Sequence, residues 1–214
     1  MLAAYKTLVM PRRAVAPPVG WRLLAKGVAG ATSGTVVVQL NTTGADLLIA
    51  SPYGVVQVRD NLGNSWAPGQ NMSDGSRAHF IVFNPITSSN HQIMIDVNYY
   101  NALSVLAYSG SNGTWDYYGN WAAVGSTVLG VEGNGVLPRQ NNSLIVVSYP
   151  LVVNSGLPYS VSQGFEILNN KSLTADSFGI LTAALIQATA ARVSPTISPA
   201  DNSGYAVATF PRAS

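Results

Sequence analysis

Apolar residues in this chain come in short bursts, each closed by Gly, Asn, Ser or Pro, and the pattern is that of strands separated by tight connections. Thr35–Leu40 is dense in β-branched residues, Ala45–Ser51 is a run of the buried type, and Gly54–Asp60 alternates. Ala78–Phe83, Gln92–Val97 and Ala102–Tyr108 follow, then Ser143–Tyr149, Gly164–Leu168 and Tyr205–Phe210. Asp60-Asn-Leu-Gly-Asn-Ser-Trp66 carries the clearest hairpin signal, because Asn61, Gly63 and Asn64 tolerate the positive φ of a tight connection. The alanines of Phe178–Ala191, with Leu181 and Leu185 four apart, would permit a helix. Gly179 and the β-branched residues favour a strand there. Strands this short, with regular turn signals, predict an all-β fold: a two-sheet antiparallel β-sandwich.

Pro11, Pro17 and Pro18 break the first twenty residues and bias that stretch toward an extended chain. Trp21, Leu23 and Leu24 are apolar enough to dock on the chain's own sandwich or on a neighbour, and Gly27, Gly30 and Gly34 read as a flexible passage into the body. The expected organisation is an extended basic N-terminal arm, residues 1–30, and one sandwich domain, residues 31–214, a size that can fill a single core.

Charge sharpens this division. Residues 1–45 carry Lys6, Arg12, Arg13, Arg22 and Lys26 and no acid, whereas the remainder carries six basic and nine acidic groups. Charged residues make up 9% of the chain against a usual value of about 25%, so solubility rests on Asn, Ser, Thr and Gly. A surface of that kind suits a protein that packs against others. Five cations spaced among Val, Leu and Pro lack the density of a nucleic-acid tail, and docking on an acidic protein surface is the plainer expectation. The order of charged and apolar residues at the N-terminus is not that of a secretory signal, and no apolar run reaches the length of a membrane span. Neither a nucleic-acid nor a membrane partner is expected.

Candidate chemistry is sparse. With no cysteine there is no disulfide framework and no thiolate metal site. His79 and His91 are the only candidate bases, expected on the surface or at strand edges, without a third zinc ligand at suitable spacing. The aspartates sit mostly at turns, where capping is their common use, although Asp60, Asn61 and Asn64 could hold a cation. Neither a metal nor a cofactor is expected, and no catalytic residues are assigned. One loop, 110–121, concentrates Trp115, Tyr117, Tyr118 and Trp121. Such rings cap an end of the sandwich, anchor a protein interface or stack on sugar.

Taken in order, Val58–Trp66, Ser104–Gly110, Asn142–Val147, Gly164–Leu168 and Gly204–Phe210 resemble a β-sandwich domain of bacteriophage structural proteins and bacterial surface proteins, over roughly residues 33–211. The resemblance implies a jelly-roll-like sandwich and a structural or adhesive role, with no catalytic residues to carry over. The expectation is therefore a non-enzymatic virion component, such as a capsid decoration, cement or fibre-base protein. It would assemble with itself and with other capsid or tail proteins through Arg12, Arg13, Trp21 and Arg22. The alternative is an adhesin module that binds a host surface glycan through the aromatic loop.

Overall fold

The computed structural model describes residues 20–53, 57–69, 79–97, 100–121, 135–151, 158–173, 178–199 and 205–213. In chain order the strands are β1 (Arg22–Ala31), β2 (Gly34–Leu40), β3 (Leu47–Pro52), β4 (Val58–Asp60), β5 (Ala67–Pro68), β6 (Phe80–Phe83), β7 (His91–Val97) and β8 (Asn101–Ser109). They continue with β9 (Tyr117–Trp121), β10 (Ser143–Leu151), β11 (Ser160–Val161), β12 (Glu166–Ser172), β13 (Gly179–Gln187), β14 (Ile197–Ser198) and β15 (Tyr205–Phe210). No helix occurs among the described residues, and every strand pairing is antiparallel.

The sheets stack in three layers, where the sequence suggested two. A central sheet of order β1-β8-β3-β6-β5 is covered on one face by β2-β7-β4 and on the other by β12-β13-β10-β15-β9. Alternation within single strands explains how. On β3, Leu47 and Ile49 meet Leu144, Val146 and Phe210 of the five-stranded outer sheet, while the adjacent Ala50 faces Val36, Val38 and Ile95 of the three-stranded one. The residues of β3 and β8 are buried throughout, so these strands read as continuous apolar runs, as expected of strands covered on both faces. Each large aliphatic residue sealed this way contributes about 1.5–3 kcal/mol. The far face of the five-stranded sheet is covered in turn by Val136, Tyr159, Phe165, Val193 and Ile197, carried by loops and the short β11-β14 ribbon.

The body begins earlier than residue 31. β1 pairs with β8 from Arg22↔Ser109 to Ala31↔Asn101, so the second half of the expected arm is an edge strand of the central sheet. Its glycines mark close packing instead of flexibility. A Cβ on Gly27 would lie 2.6 Å from Leu40 Cδ2, and one on Gly30 would lie 2.2 Å from Leu173 Cδ2. Gly34 alone fits the turn reading, with φ +88 and open space around it.

Two other expectations change. Asp60–Trp66 is not a hairpin within one sheet, since β4 pairs with β7 and β5 pairs with β6; the turn carries the chain between layers. The expected loop 110–121 ends in β9, which pairs with β15 from Tyr117↔Thr209 to Trp121↔Tyr205. The strand reading of Phe178–Ala191 holds as β13, paired on both sides by β10 and β12.

Candidate functional site

Three places in the fold concentrate polar or aromatic groups, and two of them are sealed. His79, expected near the surface, is fully buried between the central and five-stranded sheets, with Nε2 3.0 Å from Ser148 Oγ. Ser148 Oγ in turn donates to Ser51 Oγ at 2.9 Å and lies 3.4 Å from Thr182 Oγ1. That polarity makes the imidazole the donor to Ser148, the reverse of the proton direction that a serine nucleophile requires. Burial disfavours the imidazolium and drives the His79 pKa down to about 3. The group is a neutral cross-link between sheets.

His91 is also fully buried, against the expectation of an edge residue. Its Nδ1 is 3.0 Å from Thr42 Oγ1 and its Nε2 is 3.3 Å from Asp60 Oδ2. Hydroxyl, imidazole and carboxylate thus stand in line, but all three side chains are shielded from solvent. Asp60 organises the turn after β4. Oδ1 accepts from the Leu62 and Asn64 amides, and Oδ2 accepts from Asn64 Nδ2 and Trp66 Nε1. Burial by itself would raise the Asp60 pKa. The hydrogen bonds from Asn64, Trp66 and Leu62 outweigh it and hold the carboxyl below its usual value. Asn61 and Asn64 likewise accept amide protons, from Gln92 and Ile86. Oxygens turned toward N–H donors make a capping turn, which corrects the idea of a cation site there. Among the described residues no group of three His, Asp or Glu could hold a metal.

The third place is open. Where β1 and β12, the edge strands on this side, approach each other, a cleft of about 170 Å³ opens between the layers. Leu23, Tyr108, Leu168 and Ala184 line it, with Glu166 and the half-exposed Ile186. Burial raises the Tyr108 hydroxyl pKa well above the ordinary phenol range, and the negative charge of Glu166 adds to that. No local signal marks this site in the sequence, because its residues come from four strands separated by up to 163 positions.

Of the arm residues expected to bind a partner, Arg12 and Arg13 lie outside the described residues. Trp21 is used internally: its Nε1 donates to the Asn142 carbonyl at 2.8 Å, and its ring meets Tyr108 edge-on at 6.1 Å. It staples the start of β1 to the turn before β10. Arg22 is exposed on the edge strand.

In the aromatic loop, Trp115 is 43% exposed and rests edge-on against Phe83, which meets Phe210. The loop is pinned by Asp46, whose carboxylate accepts from the Gly110 and Ser111 amides. The side chains of Tyr117, Tyr118 and Trp121 lie outside the described part of the structure. Compared with known protein families, curated proteins and solved structures, the chain finds no match.

Proposed function

We propose that this chain is a non-enzymatic structural protein of a bacteriophage virion, a decoration, cement or fibre-base component, built on a jelly roll and assembled through its basic N-terminal segment. The observation that carries the reading is the pairing of the first eight strands. β1 pairs with β8, β2 with β7 and β3 with β6. In addition β8 lies beside β3 and β7 beside β4. A long hairpin of eight strands rolled around a core gives that order, and such rolls recur in capsid and lectin domains. The tip of the hairpin departs from the scheme, since β5 joins β6 instead of β4.

The polar interior supports a structural role: the His79 imidazole and its hydroxyl partners join two layers, and the His91 imidazole ties Thr42 to Asp60 within the β2-β7-β4 sheet. The segment preceding Gly20 holds Lys6, Arg12 and Arg13 without an acid, against a remainder that carries all nine acidic groups. An extended segment that docks on assembly adds contact area without a large preformed interface. The test is the solution mass of the full chain beside a version lacking residues 1–19. The cut falls before Trp21, because removing part of β1 would damage the sandwich itself. A defined oligomer that becomes monomeric after the cut supports the reading; equal masses refute self-assembly through the segment.

A second reading, a glycan-binding surface module, is favoured by Trp115, whose partly exposed ring sits on a loop held rigid by Asp46. Trp115→Ala is then expected to abolish retention on a glycan array while moving Tm by only a few degrees. Retention unchanged by the substitution refutes it.

A further inference from the structure

We propose that the cleft between β1/β8 and β12/β13 receives an apolar side chain from residues 5–13 of a second copy of this chain, with Glu166 meeting an adjacent cation of that segment. This rests on the assembly reading above and names the surface that assembly uses.

The cleft opens between the central and five-stranded layers. Its volume of about 170 Å³ is close to that of engineered apolar cavities, about 150 Å³, that admit benzene. It therefore fits one aromatic or branched aliphatic side chain. Leu23, Leu168 and Ala184 supply apolar walls, and Tyr108 adds a ring. Glu166 is exposed on β12, and among the described residues it forms no ion pair. The favoured occupant is thus an apolar residue with a cation beside it. Residues 5–13, Tyr-Lys-Thr-Leu-Val-Met-Pro-Arg-Arg, have that character: Tyr5 precedes Lys6, and Leu8, Val9 and Met10 precede Arg12 and Arg13.

Position points to a second copy. The segment leaves the body at Gly20, next to Trp21, whose ring lies on Tyr108 of the cleft wall. From Leu23 the chain passes back through Trp21 to Gly20, and the residues just before Gly20 are Pro17, Pro18 and Val19. Pro17 and Pro18 bias this stretch toward extended chain, which favours reach to a neighbour over a return into the same cleft. At about 3.3 Å per residue, the stretch between Arg13 and Gly20 reaches roughly 23 Å, enough to cross to a neighbouring sandwich.

The natural chain has no cysteine, so engineered pairs report directly. In the full-length protein, Ile186→Cys is combined with Tyr5→Cys, Leu8→Cys or Met10→Cys, oxidised gently, and resolved on denaturing gels without reductant. At least one pair is expected to give covalent dimers or longer chains, and adding Glu166→Arg is expected to suppress them and to raise the Kd of association about tenfold or more. A cross-link closed within one chain overturns the proposal, and so does the absence of any cross-link. The native mass of the unoxidised samples separates the failures. An oligomer without the cross-link overturns the cleft and leaves the assembly reading standing, whereas a monomer in every sample overturns both.

Discussion

Mild acid should weaken this fold through one buried imidazole, that of His79. Its imidazole is fully buried against Ser148, and its pKa falls from 6.5 to about 3 in the folded chain. Below pH 6.5 the unfolded chain takes up a proton that the folded chain refuses, so stability falls as pH drops. Each unit costs about 1.4 kcal/mol, which makes the loss about 2 kcal/mol at pH 5, with a ceiling near 5 kcal/mol once pH reaches the folded value. The informative substitution is His79→Gln, whose amide can still donate to Ser148 Oγ but does not titrate. Urea unfolding at pH 7.5 and pH 5.0 measures the difference for each protein. The natural chain is expected to lose about 2 kcal/mol more than H79Q over that interval, whatever their relative stability at neutral pH. Equal losses would refute the reasoning, because they would mean that His79 takes up its proton without unfolding.

Asp60→Ala removes the acceptor of the Leu62 and Asn64 amides and of Trp66 Nε1, and at about 1–3 kcal/mol per stranded donor it is expected to cost at least about 3 kcal/mol in urea unfolding. Since hydrogen bonding holds this carboxyl below its ordinary value, its contribution persists above pH 3.8 and fades only as pH falls through the folded value. Gly110→Ala adds a Cβ 2.5 Å from the Gly20 carbonyl oxygen at φ +108, so a loss of at least about 1–3 kcal/mol is expected, with faster amide exchange at the start of β1 than in β10. Arg59→Ala breaks a bidentate pair with Asp96 whose two side chains are 51% and 63% exposed, and a change below about 1 kcal/mol in the same assay is expected.

Much of the strand inventory was legible because it depends on local chemistry. β-branched runs bounded by Gly and Asn became β2, β7, β10 and β15, and the contest between alanine and glycine over residues 178–191 resolved as β13. β1 was not legible. Gly27 and Gly30 look like hinges in one dimension, and only the approach of Leu40 and Leu173 from other layers explains why no side chain fits there. β9 was hidden for a related reason, since its aromatic and glycine-rich sequence becomes a strand by pairing with β15, which lies more than eighty residues further on.

The candidate site divides the same way. Trp115 and the basic segment stand out by composition alone. The cleft, the burial of both histidines and the use of Asp60 depend on which strands meet, and no residue type announces that. By itself the sequence determined that the chain is all-β, because turn residues and β-branching act within a few positions. It also determined that charge is divided between the N-terminal stretch and the rest, because composition is indifferent to folding. The tertiary structure decided that the layers number three, that Trp21 staples its own chain, and that the histidines are buried and neutral or paired. Those outcomes rest on contacts between residues distant in sequence, where packing and desolvation outweigh local preference.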